Sequence, residues 1–154
     1  MRIDMCTASW GSPEKLHMSI RWVRAMNTSD WRFLVVDNAS EDPRVREVIE
    51  RHMAEEPRIQ AKFLDENIGY VGAVNTILER AETNNVAYVD NDAYILTHGW
   101  DMTMAQVLES NSEVAMVFPG GGAYPIKRAR YTEILWGVGF CWMLNRQRYK
   151  EIGG

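Results

Sequence analysis

The sequence predicts a single α/β domain, built on a mainly parallel sheet with helices on both faces. Five short apolar runs typical of β-strands alternate along the chain with patterns typical of helices, and short turns join them. Repeated strand–helix units of this kind favour a doubly wound sheet. A length of 154 residues suits one domain with one substantial core.

The five predicted strands are rich in β-branched and aromatic residues. They read RIDMCTA, WRFLVVD, RIQAKFLD, VAYVD and EVAMVFP, beginning at residues 2, 31, 58, 86 and 113. The second run is apolar along most of its length, which indicates a strand covered on both faces.

Four predicted helices separate these strands. The first follows Ser12 and Pro13, an expected N-cap and first-turn proline, and the second follows the cap Asp42. The third is expected to begin at Gly69 and the fourth to be capped by Thr97. Apolar residues recur at helical spacing in all four, namely Leu16, Ile20 and Val23; Val45, Val48, Ile49 and Met53; Val71, Val74, Ile77, Leu78 and Ala81; and Trp100, Met104, Val107 and Leu108.

The regular pattern covers residues 1–118 and loosens over 119–154. GGGAYPIKRARYTE is glycine-rich and then basic, which predicts a surface loop whose KRAR stretch at 127–130 is solvated. ILWGVGFCWMLN then predicts one or two late strands, and RQRYKEI a short helix. Both parts are expected to belong to one domain.

Composition excludes several classes of protein. A net charge of -4 and a pI near 5.4 provide no overall field for nucleic acid or an anionic membrane. No apolar run approaches the roughly 20 residues that span a bilayer, and the first residues do not resemble a secretory signal. We therefore expect a cytoplasmic protein in which Cys6 and Cys141 are buried, reduced thiols.

Polar residues collect where the predicted strands end. Ligands of open α/β sheets bind at the carboxyl ends of the strands, so these residues are candidates for one binding site. In order of strand they are Thr7, Ser9 and Trp10; Asp37 and Asn38; Asn67, Gly69 and Asn75; and Asp90, Asn91 and Asp92.

The sequence VAYVDNDAYIL joins a strand to two carboxylates, Asp90 and Asp92. Like charges this close are unfavourable after a buried strand unless a cation receives them. Hard oxygen ligands one residue apart suit Mg²⁺ or Mn²⁺, which bridge to substrate phosphates. The pattern therefore predicts a divalent metal site, although such triplets also occur in ordinary turns.

FLVVDNASED, ENIGYVGAVN and YVDNDAYI, followed by GW, together resemble family 2 glycosyltransferases of the GT-A fold, which is Rossmann-like. Members similar to bacterial rhamnosyltransferases share the VDNAS and ENxG variants. The resemblance makes residues 1–118 the nucleotide-binding half and 119–154 the acceptor side. It implies binding of a nucleotide-diphosphate sugar and of Mn²⁺ or Mg²⁺ in transfer to an acceptor hydroxyl.

The resemblance also implies roles for individual residues. Asp37 would bind the base or ribose, Asp90 the ribose or a metal-bound water, and Asp92 the metal directly. The surroundings of the nucleotide would be formed by Thr7, Ser9, Asn38, Asn67, Gly69 and Asn75, and Trp136 would stack on the sugar. The acceptor stays open among polysaccharide, lipid carrier, protein and modified nucleic acid, and a homo-oligomer is compatible with the sequence.

Inverting members of the family carry a catalytic carboxylate just beyond the segment that ends here at Gly154. The chain therefore resembles a short or truncated form, with Glu133, Glu151 and Asp101 as candidate bases that match no family position. The missing base leaves a non-catalytic nucleotide-sugar-binding module as an alternative. A nucleotidyltransferase is a further alternative, disfavoured because TASWGSP replaces a basic phosphate loop.

Overall fold

A computed structural model describes residues 1–122, 126–127, 132–133, 136–137 and 139–153. Ten strands run in chain order as β1 (Arg2–Ser9), β2 (Asp30–Asp37), β3 (Ile59–Phe63), β4 (Asn85–Val89), β5 (Met116–Val117), β6 (Gly121–Gly122), β7 (Ile126–Lys127), β8 (Thr132–Glu133), β9 (Trp136–Gly137) and β10 (Cys141–Asn145). Six of them form the main sheet in the order β3-β2-β1-β4-β10-β5, and the pairs β6–β9 and β7–β8 form two small ladders.

The main sheet is mostly parallel, as the sequence predicts. β1 pairs in parallel with β2 and with β4, and β2 pairs in parallel with β3. The late segment differs from its neighbours, because β10 runs antiparallel between β4 and β5. The sequence predicts a late strand in this segment, and β10 confirms it, but the alternation of strands and helices provides no signal for its antiparallel position between β4 and β5.

Five helices cover the two faces of the sheet: α1 (Pro13–Met26), α2 (Pro43–Glu55), α3 (Gly69–Arg80), α4 (Trp100–Ser110) and α5 (Arg146–Glu151). α1, α2 and α4 bury their apolar residues against one face, where Phe33 and Met143 are fully buried. α3 packs against the other face around Tyr88 and Trp142, whose rings stack with centroids 5.0 Å apart, and α5 joins it through Tyr149. In the described part of the chain, no helix is long and apolar enough to cross a bilayer.

Ser12 is the N-cap residue of α1 and Pro13 its first helical residue, as predicted, but Ser12 takes the left-handed conformation (φ 54°) and its side chain makes no capping hydrogen bond. The cap predicted at Thr97 is wrong. The fourth helix begins at Trp100 after Gly99, whose φ of 72° glycine adopts without strain, and not at Thr97. Asp42 is a true cap, because its carboxylate accepts from the Arg44 backbone N–H at 3.0 Å.

A buried ion pair between Asp4 and Arg32 connects β1 to β2. The Asp4 carboxylate accepts from Arg32 Nε and Nη2, both at 3.1 Å, and from the backbone N–H groups of Glu82 and Thr83. The two side chains are only 3% and 5% exposed. Asp4 therefore holds two strands and the turn that leads into β4.

Two histidines form a pair between α1 and α2. His52 is buried and its Nε2 lies 2.9 Å from His17 Nδ1, while Arg24 Nη1 lies 3.2 Å from His52 Nδ1. A guanidinium only donates, so His52 Nδ1 accepts and Nε2 carries the proton donated to His17. Burial, reinforced by the positive charges of His17, Arg24 and Arg51 and opposed by Glu55, lowers the pKa of His52 to about 4.

We expect the stability of the protein to depend on pH through His52. The unfolded chain, with a histidine pKa near 6.5, binds more protons than the folded protein between pH about 4 and 6.5. The free energy of unfolding should therefore rise by roughly 2–3 kcal/mol across this window and level off above it. Urea denaturation from pH 4 to 8 measures the slope of the unfolding free energy with pH. His52→Gln should flatten this slope, and His98→Gln, the control at an exposed position, should preserve it. An equal slope in His52→Gln would contradict the assignment.

Candidate functional site

The topology of the main sheet brings the predicted site residues to one edge. α1 and α2 carry the chain from β1 outward to β3, and α3 returns it across β1 to β4. The direction of winding reverses between β1 and β4, which is where open α/β sheets bind ligands. Cys6 lies beside Tyr88, so continuing the register brings the ends of the two strands, at Ser9 and Asp90, close together. We call this position the switch point.

Asp37 ends β2 in a tight turn and is buried. Its Oδ1 accepts from the Ser40 hydroxyl at 2.5 Å, and that hydroxyl accepts from the Gly11 N–H at 2.9 Å. Ala39 takes a left-handed φ of 58°, a strained conformation for alanine that closes the turn. Within the described residues Asp37 Oδ2 has no hydrogen-bond partner, so this oxygen remains for a ligand at the switch point.

Asn38, expected among the surroundings of the nucleotide, binds the loop between β3 and α3. Its Nδ2 donates to Asn67 Oδ1 at 2.9 Å and to the Gly69 carbonyl at 3.3 Å, while its Oδ1 accepts from the Ile68 N–H at 3.0 Å. The buried amide is therefore committed to the loop between β3 and α3. Asn67 and Gly69 are exposed, and Gly69 has a φ of 74° at the start of α3. Asn38 positions this loop for whatever approaches it.

Asp90 and Asp92 follow β4 in different surroundings. Asp90 is half-buried, and burial, together with the charge of Asp92, raises its pKa despite an opposing hydrogen bond from the Tyr88 hydroxyl. Asp92 is exposed, and its Oδ2 lies 3.4 Å from the Lys15 ammonium of α1. The backbone of Asp90 is fixed by its N–H, which donates to the Phe140 carbonyl at 2.8 Å.

These carboxylates fit a hard divalent cation. Both donors are anionic oxygens, and a cation would relieve the charge repulsion and burial that raise the pKa of Asp90. No group of three or more His, Cys, Asp or Glu is arranged for a metal among the described residues. A site with two carboxylates suits Mg²⁺ or Mn²⁺, which complete their coordination with water and substrate phosphates.

Ser9 and Thr7 line the β1 side of the switch point. Both are buried, and in the described part of the chain the Thr7 hydroxyl donates a hydrogen bond only to the Ala8 carbonyl, at a long 3.5 Å. The Ser9 hydroxyl is a buried group without a hydrogen-bond partner among the described residues. A buried hydroxyl without a hydrogen-bond partner costs free energy, so Ser9 is a better candidate than Thr7 for a residue that binds a ligand.

Two other predicted contacts are less well placed. Asn75, expected among the surroundings of the nucleotide, is exposed on α3. Of the apolar stripe predicted for this helix, Ile77 and Ala81 are buried, and Val74 and Leu78 pack against the same cluster. Val71 is the exception at 69% exposed, and Ala73 is buried in addition to the predicted residues. The side chain of Trp136 lies outside the described residues.

Two of the three candidate bases lie at the opposite edge of the sheet. Asp101 is fully buried and accepts from the N–H groups of Thr28 and Ser29, next to the start of β2, and these bonds lower its pKa against the effect of burial. Glu151 ends α5, which follows β10 where that strand pairs with the start of β4. Neither carboxylate reaches the switch point. The side chain of Glu133 lies outside the described residues.

Sequence reasoning missed three residues that hold the site. Ser40 was predictable, because an aspartate followed three residues later by serine is typical of a side-chain-stabilised turn. Tyr88 lies two residues before Asp90 on the same strand face, and its hydroxyl lowers the pKa of the Asp90 carboxyl. Lys15 lies 77 residues from its partner Asp92, and no local pattern indicates such a contact.

Comparisons with known proteins agree with this geometry. The family model described as Glycosyl transferase family 2 matches residues 6–153. A protein of Bacillus subtilis (strain 168), "Putative teichuronic acid biosynthesis glycosyltransferase TuaG", is 28% identical over 90 residues. That alignment covers 58% of this chain and 35% of the relative.

Solved structures with the same fold include two glycosyltransferases. Mannosyltransferase PcManGT from Pyrobaculum calidifontis, in complex with GDP-Man and Mn²⁺, superposes with a TM-score of 0.76 at 17% identity. S. aureus TarS 1-349 in complex with UDP-GlcNAc gives 0.75 at 15% identity. These matches cover 99% of this chain but only 46% and 47% of the other chains, so the protein spans about half of their length. The likeness shows the GT-A architecture predicted from the sequence.

Proposed function

Because the chain belongs to glycosyl transferase family 2, we propose that it binds a nucleotide-diphosphate sugar at the switch point and transfers the sugar to an acceptor hydroxyl. One observation carries the proposal: a turn with a buried aspartate and a pair of carboxylates lie together where the sheet reverses its winding. Asp37 would accept a hydrogen bond from the base or ribose. PcManGT and TarS, which share the fold, are in complexes with nucleotide sugars.

Asp90 and Asp92 would hold Mn²⁺ or Mg²⁺ beside the diphosphate. The bound ion would supply charge neutralisation for the departing nucleoside diphosphate, the main electrostatic requirement of this chemistry. The protein's own contribution is positional. The Phe140 carbonyl fixes the backbone of Asp90, and Asn38 fixes the loop at the start of α3.

A panel of nucleoside diphosphates and nucleotide sugars, each with and without Mn²⁺, tests the proposal by thermal shift. A ligand present at a hundred times its dissociation constant adds about 2.7 kcal/mol of stability. For a domain of this size the melting temperature should rise by roughly 5–10 °C. The panel should include UDP, GDP and their sugars. If every combination leaves the melting temperature unchanged, the proposal is wrong.

A binding module without catalysis is the second candidate, favoured by the positions of Asp101 and Glu151 at the far edge of the sheet. General base catalysis is typically worth about a hundred- to ten-thousandfold in rate. Release of free sugar from a bound donor, followed with an isotope-labelled nucleotide sugar, separates the two candidates. Binding without turnover, with or without a panel of acceptors, would favour the module.

Replacing Asp37 by asparagine should weaken nucleotide binding even without metal. Asparagine keeps an oxygen for the Ser40 hydroxyl, so the turn survives, but it removes the charged acceptor that faces the ligand. A hydrogen bond to a charged group is worth about 1.5–3 kcal/mol, which corresponds to about a ten- to hundredfold loss of affinity. Calorimetric titration with EDTA present measures it, with exposed Glu41→Gln as the control. Unchanged affinity would reduce Asp37 to a turn residue.

A further inference from the structure

Lys15 places a positive charge where the proposed metal would bind. Its Nζ lies 3.4 Å from Asp92 Oδ2, and the pair joins the first turn of α1 to the end of β4 across the switch point. Its neighbour Glu14 is engaged elsewhere, with Arg44 at 2.8 Å. Among the described residues, Asp92 is therefore the carboxylate with which Lys15 pairs.

The contact between Lys15 and Asp92 is weak enough for a metal ion to replace it. The two side chains are 56% and 52% exposed, and one long contact joins a single oxygen to the ammonium. Exposed pairs of this kind are weak, because solvent screens them and the side chains lose freedom. A divalent ion that coordinates Asp92 would therefore have to displace the ammonium.

We propose that Lys15 is the resident counter-ion of Asp92 and competes with the divalent metal, so that the protein without nucleotide holds the metal weakly. The inference rests on the proposed function. The competing ammonium lowers the affinity of Asp90 and Asp92 for the metal when no nucleotide is bound. A bound diphosphate contributes further oxygen ligands, which raise that affinity. The metal is therefore loaded together with the nucleotide.

Removing the ammonium should tighten metal binding in the absence of nucleotide. Lys15→Met keeps the length of the side chain and is expected to lower the dissociation constant of Mn²⁺ about two- to fivefold, the size of an exposed ion pair. Lys15→Arg keeps the cation and should retain the wild-type affinity. Electron paramagnetic resonance of free Mn²⁺ at about 0.1 M salt measures all three proteins.

Arg21→Met is the matched control, since it removes the same charge from an exposed position on the same helix, about 9 Å further along. If Lys15→Met binds Mn²⁺ no more tightly than Arg21→Met, the counter-ion role is wrong while the metal site stands. If Asp92→Asn binds Mn²⁺ as well as wild type, both the inference and the metal assignment are wrong. Nucleotide binding in EDTA, which depends on Asp37, reports separately on the proposed donor site.

Discussion

Asp92→Asn is expected to abolish the Mn²⁺-dependent part of nucleotide affinity and to leave the fold intact. The substitution removes a charged oxygen ligand that a hard cation needs, and a single half-buried carboxylate remains at Asp90. The exposed contact with Lys15 is the stabilising interaction lost, and relief of the repulsion with Asp90 offsets it. The free energy of unfolding should change by less than about 1 kcal/mol. Calorimetric titration of a nucleoside diphosphate with and without Mn²⁺ measures the effect.

Asp30→Asn is the control for this experiment. It makes the same chemical change at an exposed position, at the start of β2 and therefore at the opposite edge of the sheet. The control should bind as wild type does. If Mn²⁺ still strengthens nucleotide binding in Asp92→Asn, the metal site lies elsewhere. If that variant unfolds, Asp92 is a structural residue.

The largest loss of stability is expected from Asp4→Asn. The amide has nearly the same volume but no charge, so among the described residues Arg32 keeps only Glu82 as a carboxylate partner, and the Glu82 side chain is 61% exposed. Breaking a buried ion pair by removing one partner costs about 3–5 kcal/mol, because the other charge stays buried. Such a loss is a large fraction of the free energy of unfolding of a typical domain. Urea denaturation at pH 7 measures the change.

Glu14→Gln is the contrasting variant, because Glu14 pairs with Arg44 on the surface, where the two side chains are 72% and 60% exposed. Its cost should stay below about 1 kcal/mol. The slope of unfolding free energy with urea should remain that of wild type in both variants, since neither changes the surface exposed on unfolding. If Asp4→Asn and Glu14→Gln cost the same, burial would not explain the role of Asp4.

The parallel part of the fold was predictable because its signals are local. Runs such as WRFLVVD identify strands from a few neighbouring residues, and the alternation with helices then implies their parallel order. The start of α4 was misplaced because its N-terminus is set by Gly99, whose N–H donates to the carbonyl of Met26, the last residue of α1. β10 was predicted as a strand, but its antiparallel pairing was not, since that pairing is decided by tertiary contacts.

The site was predictable to the level of strand ends and no further. A parallel sheet brings those ends together, so Asp37 and Asp90 could be assigned to one edge from the sequence. Which polar group faces a ligand depends on hydrogen bonds that sequence does not encode locally. The Asn38 side chain makes its hydrogen bonds to the loop that it supports, and the Asp101 carboxylate accepts from the backbone N–H groups of Thr28 and Ser29.

The position of β10 has a consequence for how the protein is made. β4 is synthesised about fifty residues before the strand that covers its outer edge, so a nascent chain exposes an unpaired, apolar strand edge during that interval. The carbonyl of Phe140 that fixes Asp90 also arrives only then. On the ribosome, the parallel core can associate early, whereas the end of β4 that carries Asp90 acquires its native geometry only after β10 has been synthesised.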